Sequence, residues 1–118
     1  RCGWIDLVAL QFACMINGVT KVIMTKADIL DHFETLQVGY AYEIDGQVSS
    51  EVPFQMNRHE IKPLWKSFPG WNQPTSEMKQ ASELPETMRN YIQYINGFIG
   101  AHVSHVSNGP GRDQIVTL

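Results

Sequence analysis

Charge is scarce in this sequence. Asp, Glu, Lys and Arg make up only 18% of its 118 residues, against roughly 25% in an ordinary soluble domain. Nine basic and twelve acidic residues leave a net charge of −3, and no run of Lys or Arg occurs. That excludes the basic stripe on which most nucleic-acid binding depends. Apolar runs are also short, far below the ~20 residues that a membrane-spanning helix needs, and no signal or transit pattern opens the chain. The two cysteines, Cys2 and Cys14, are too few for a disulfide framework and lack metal-ligand spacing. A reducing, cytoplasmic compartment is the expectation. Equally absent are the GxxxxGK[ST] and GxGxxG loops that cradle phosphates and the GxSxG nucleophile elbow. Nothing here is built to hold a triphosphate or Mg²⁺.

What remains is enough for a core. Apolar residues make up 43% of the chain, and disorder is excluded by that share together with the low charge. The length is that of one domain, residues 1–118. Trp4–Ile16 reads as a helix whose only polar residues are Asp6 and Gln11, and a helix apolar all round seeks cover on every side. A domain this small supplies such cover with difficulty. The chain also opens on Arg1 rather than Met. Both features are expected of a piece of a longer chain.

Asn17-Gly18 stops the helix, since both residues tolerate a left-handed backbone. Val19–Thr25, rich in β-branched residues, predicts a buried parallel strand, and Ile29–Phe33 a short helical turn. Gln37–Ile44 predicts a strand with Val38, Tyr40 and Tyr42 on one face. Asp45-Gly46 is a tight hairpin turn, returning through Gln47–Val52. Leu64–Phe68 is a further short strand. A second helix begins near Ser82, with Glu83 and Glu86 at the positive end of its dipole and Met88, Tyr91, Ile92, Ile95 and Ile99 on one face. Ala101–Val106 is a last strand, then a sharp loop at 107–111. Helices alternate with strands and one hairpin is antiparallel, which is an α/β class with a mixed sheet.

Two loops carry possible chemistry. Thr25-Lys26-Ala27-Asp28 follows a predicted strand, where ligands of open α/β sheets collect. A carboxylate at Asp28 has two acceptor oxygens, and guanine presents two adjacent donors, N1–H and the 2-amino group. Adenine has no such pair. Lys26 can lay its methylene stem along a base while its ammonium stays in water. Ser107-Asn108-Gly109-Pro110 also follows a strand, and its N–H groups and hydroxyl can donate to a carbonyl such as guanine O6. Each loop has a plainer reading as well: Asp28 capping the next turn, and a simple Gly-Pro turn. Elsewhere little stands out. His32 and His59 are isolated. His102 and His105 are three apart, on opposite faces of a regular strand. Asp31 reads as solvated. No catalytic carboxylate pair is evident.

The sequence resembles the adenylosuccinate synthetase family. The likeness lies in Arg1-Cys2-Gly3-Trp4-Ile5-Asp6-Leu7-Val8-Ala9-Leu10, Asn17-Gly18, Thr25-Lys26-Ala27-Asp28-Ile29-Leu30-Asp31, Val38–Tyr42 with Asp45-Gly46, Pro69-Gly70-Trp71, Leu84-Pro85 and Ser107-Asn108-Gly109-Pro110-Gly111-Arg112. It covers essentially the whole chain and corresponds to the C-terminal part of that family's longer, P-loop-like α/β chain. Family members join L-aspartate to IMP with GTP, a ligase step of purine and AMP biosynthesis. The resemblance implies that Lys26, Ala27 and Asp28, with Ser107, Asn108 and Gly109, bind the guanine of GTP. It implies that Arg1 ends a substrate loop, and that the catalytic residues and Mg²⁺ ligands lie outside this chain. It also implies a cytoplasmic homodimer, and a fragment inactive alone. Ala27 and Gly111 depart from the family's usual residues. The alternatives from other classes are a non-catalytic guanine-nucleotide binder and a structural or subunit-contact module.

Overall fold

A computed structural model describes residues 2–118, so Arg1 lies outside the described residues. The chain does not open directly into a helix. Ile5–Asp6 forms a two-residue strand, β1, before α1 (Leu7–Asn17) begins. The boundary falls there because Asp6 is the cap: one carboxylate oxygen accepts from the Ala9 N–H at 3.1 Å, satisfying a donor that the first helical turn leaves free. Its other oxygen takes the Tyr42 hydroxyl at 2.5 Å. Burial, with that carboxylate beside it, pushes the Tyr42 phenol well above its ordinary range. α1 ends as expected. Gly18 is left-handed (φ 61°) and its N–H reaches back to the Cys14 and Met15 carbonyls.

Two sheets follow. The first is built on β3 (Thr35–Ile44), which β5 (Ile61–Pro69) accompanies antiparallel along its whole length. β1 runs parallel to β3 at Val38–Gly39, and β4 (Gln47–Ser49) pairs antiparallel at Tyr42–Ile44. β5 is longer than its apolar stretch predicts, and β4 is shorter. β3 and β5 change register between Gly39 and Ala41, so Tyr40 is an extra, exposed residue while Val38 and Tyr42 are buried. Val38 lies opposite Lys66 and Tyr42 opposite Pro63, so the β-bulge sends Val38 and Tyr42 to opposite faces and breaks the single face that simple alternation assigns to Val38, Tyr40 and Tyr42. The hairpin turn has positive φ at both Asp45 and Gly46, as a two-residue reversal between twisted strands requires. His59 hydrogen-bonds the Asp45 carboxylate at 2.8 Å, and the Glu60 N–H donates to it at 3.0 Å. These contacts, the imidazole first, hold the Asp45 carboxyl below its usual value.

The second sheet is β2 (Lys21–Met24), β6 (His102–Ser107) and β7 (Ile115–Thr117), with β2 and β6 parallel and β7 antiparallel. β2 is not buried on both faces as its composition implies: Val22 and Met24 turn to the core, but Ile23 stays 61% exposed. α2 (Glu86–Ile99) packs on the core with all five apolar residues of its predicted stripe buried. It starts later than expected, after Pro85. Glu83 belongs to a separate 3₁₀ turn, where its carboxylate accepts from the N–H groups of Lys79 and Gln80 and is held below its usual pKa.

The radius of gyration is 15.4 Å, above the ~13.5 Å of a compact chain this long. Correspondingly, Phe12, Met15 and Ile16 leave one side of α1 bare, so the cover sought by an all-apolar helix is incomplete. Gly70 marks the tightest approach in the fold. Its N–H bonds the Glu34 carbonyl at 2.8 Å, and a Cβ there would overlap the Phe33 carbonyl oxygen.

Three substitutions test these contacts through stability. Gly70→Ala forces backbone apart and should cost roughly 1–3 kcal/mol. Gly97→Ala, on α2 with nothing within 4 Å of its added methyl, should gain about 0.5–1 kcal/mol from helix propensity. Urea unfolding followed by tryptophan fluorescence checks both, and equal effects would contradict the packing described. For Asp45, a lowered native pKa means that its contribution is full above the unfolded value near ~4 and is lost as pH falls through the native one. The melting temperatures of the chain and its Asp45→Asn variant should therefore differ at pH 6 and converge in acid. A gap that persists at pH 2 would contradict the Asp45–His59 contact.

Candidate functional site

β2 and β6 run side by side in the same direction, with Met24 opposite Val106. The two loops that follow them therefore leave the same edge of the sheet, about 4.8 Å apart at their roots. The first loop turns at Lys26, whose backbone is left-handed (φ 57°, ψ 39°), and continues as a 3₁₀ turn over Ala27–Leu30 that packs against β6. Ala27 is buried in the core and anchors the loop from beneath. Lys26 is exposed and Asp28 half-buried. No described residue donates to the Asp28 carboxylate. Asp28 itself stands just past the carboxyl end of the parallel pair.

In the second loop the Ser107 hydroxyl donates to the Gly109 carbonyl at 3.3 Å. Asn108 does something its sequence context did not reveal. It is fully buried, its amide nitrogen donates to the carbonyls of Thr75 (2.5 Å) and Met78 (3.0 Å), and its backbone N–H donates to the Gln114 carbonyl. Only Asn108 Oδ1 lacks a partner among the described residues. The Asn108 side chain is thus committed inside the protein, not offered outward. Gly109 is needed for a close approach of a different kind from the one expected. A Cβ would overlap the Gln114 carboxamide, which itself accepts from the Gly111 N–H at 2.8 Å and donates to the Ser76 carbonyl. The Gly109 N–H meets no acceptor among the described residues.

Asp31 is not solvated. It is 4% exposed, and its carboxylate accepts from Trp71 Nε1 (2.7 Å), the Thr75 N–H (2.8 Å) and Thr75 Oγ1 (2.9 Å). Asp31, Thr75 and Asn108 are the buried polar residues of the described chain, and they are linked to one another in series. Sequence reasoning passed over Thr75 because its partners lie 44 and 33 positions away, beyond any local pattern.

His102 and His105 need a correction. β2 and β6 shift register after Val22, so that Ile23 lies opposite His105 while Lys21 lies opposite His102. Lys21 and Ile23 share a face, so the two histidines share it too, on the outer side. The bulge at Ser104 overrides simple alternation. Among the described residues no three His, Cys, Asp or Glu side chains gather as a metal site. None of its described helices is long and apolar enough to cross a membrane. Cavities of about 540 and 230 Å³ lie against α1 and α2 respectively, and neither is lined by a residue of the two loops.

The geometry therefore offers paired acceptors on one loop and an N–H donor on its neighbour, supported from below by a buried polar chain. A family model described as adenylosuccinate synthetase matches residues 1–116. Relatives called adenylosuccinate synthetase from Azobacteroides pseudotrichonymphae and Porphyromonas gingivalis are each 40% identical over 98% of this chain and 27% of their own length. One from Lodderomyces elongisporus is 38% identical over the same shares. The chain thus spans about a quarter of these relatives. A solved structure of fully ligated adenylosuccinate synthetase from Plasmodium falciparum superposes with a TM-score of 0.92 over all of this chain and 29% of that one, at 24% identity, which establishes a shared fold. With the family match covering nearly every residue, the chain belongs to the adenylosuccinate synthetase family.

Proposed function

We propose that this chain is the guanine-reading segment of a GTP-dependent ligase that joins L-aspartate to IMP, forming adenylosuccinate on the route to AMP. The observation that carries the reading is the Asp28 carboxylate, half-buried and without a donor among the described residues, on a loop beside the Gly109 N–H. A carboxylate so placed accepts N1–H and the 2-amino group of guanine together, while the Gly109 N–H donates to O6 and the Ser107 hydroxyl, on turning away from the Gly109 carbonyl, adds a second donor. Each hydrogen bond to the charged group is worth roughly 1.5–3 kcal/mol, and leaving it unmade rejects a base without those donors by up to ~10⁴–10⁵. Lys26, exposed at its left-handed turn, covers the base with its methylene stem. Ala27 and Asn108 serve the site through their packing and their internal bonds.

Catalysis requires more than this chain holds. GTP phosphates, Mg²⁺, IMP and aspartate are bound by the rest of the enzyme, with Arg1 at the end of a substrate loop. The working form is a cytoplasmic homodimer. Two free cysteines, one exposed and one buried, suit a reducing compartment.

Asp28→Asn in the full-length enzyme tests the reading. Asparagine presents one acceptor and one donor, which matches N1–H and the 2-oxo group of xanthine. The variant should raise KM for GTP by about 10- to 100-fold, as expected for one lost charge-assisted hydrogen bond, and should accept XTP. Steady-state kinetics with both nucleotides provide the check, and an unchanged preference removes Asp28 from the base site. The 118-residue chain by itself should show no synthetase activity.

A further inference from the structure

We infer that Thr75 is a positioning residue that sets the separation of the two loops, an inference that rests on the base reading proposed above. Among the described residues no hydrogen bond runs directly between the turn at 26–31 and the loop at 107–111. Thr75 bridges them. Its N–H and Oγ1 both donate to the Asp31 carboxylate, and the Asp31 N–H bonds the Asp28 carbonyl at 3.1 Å. On its other side the Thr75 carbonyl accepts from the Asn108 amide, and Asn108 is joined directly to Gly109. One fully buried residue therefore links the proposed acceptor loop to the proposed donor loop.

The consequence is geometric. Asp28 and the Ser107–Gly109 loop must meet adjacent groups along one edge of one rigid base. A base held at O6 makes its second bond to Asp28 only if the two loops keep their spacing. Buried hydrogen bonds fix such a distance better than apolar packing does, because they are directional and costly to break. Trp71 braces the same carboxylate from the side through Nε1 at 2.7 Å.

The test uses the full-length enzyme and two nucleotides, GTP and inosine triphosphate, which lacks the 2-amino group. Thr75→Val keeps the shape and both backbone bonds and removes only the hydroxyl donor. It should raise KM for GTP about fivefold, the equivalent of one ordinary hydrogen bond. It should narrow the preference for GTP over inosine triphosphate by a similar factor and leave KM for IMP and aspartate unchanged. Thr75→Ser, which restores the hydroxyl, should restore both. Should Thr75→Val fail to fold, Trp71→Phe removes the other side-chain donor to Asp31 and should shift the same ratio. A fall in melting temperature with an unchanged GTP preference in the folded variants overturns the inference and leaves Thr75 a purely structural residue. Asp28→Asn in parallel separates the two failures. If it too leaves base preference unchanged, the base reading has failed. If it alters preference while Thr75→Val and Trp71→Phe do not, only the positioning role has failed.

Discussion

A single carboxylate in the interior organises this chain. Asp31 sits at the end of the turn after β2 and has lost nearly all contact with water, a position that is costly for an acid unless donors surround it. Three donors do, one indole and two from a threonine. Because the indole comes from the segment after β5 and the threonine from the loop beyond it, the acid draws a stretch with no regular structure onto the second sheet. The 71–78 segment has few backbone bonds of its own. It is ordered by what it gives to Asp31 and takes from Asn108.

Around this point the chain uses close backbone approach as well as apolar burial. Gly70 lets the strand end of β5 lie against Phe33, which brings Trp71 within reach of Asp31. Trp71 in turn meets Tyr91 of α2 edge-on, and Phe68 packs against Tyr91 and Tyr94. Burial drives the Tyr91 phenol up to about 12, so it stays neutral within this aromatic layer. The layer joins the first sheet to α2, and α2 lies on the second sheet. The loops at the carboxyl ends of β2 and β6 therefore rest on a support that includes α2 and this aromatic layer.

Much of this was legible in the sequence where the cause is local. Gly18, Asp45-Gly46 and the apolar stripe of α2 act over a few residues, and each was read correctly. The carboxyl-end placement of both loops followed from recognising the strands before them. What escaped was non-local. Nothing near Asp31 in sequence announces a tryptophan 40 positions on, so a buried hub looked like an exposed acid. Strand bulges at Tyr40 and Ser104 broke the alternation that puts Val38, Tyr40 and Tyr42 on one face and the two histidines on opposite faces. The first helix was placed too early because Trp4–Asp6 continues its apolar pattern. Only the pairing of Ile5 with Val38 shows that this stretch is extended. The burial of the Asn108 side chain was not legible either, because it depends on a segment 30 or more residues earlier in the chain.

The bare outer side of the second sheet has a colloidal meaning. β2 pairs with β6 alone among the described strands, leaving its other edge with unmatched N–H and C=O groups beside the exposed Ile23. Lys21 is its only charged side chain. Edges of this kind, without proline or repeated lysines to blunt them, are templates for strand addition between molecules. Separated from any partner, the chain would be prone to stack through β2, and its concentration would govern whether it stays monodisperse.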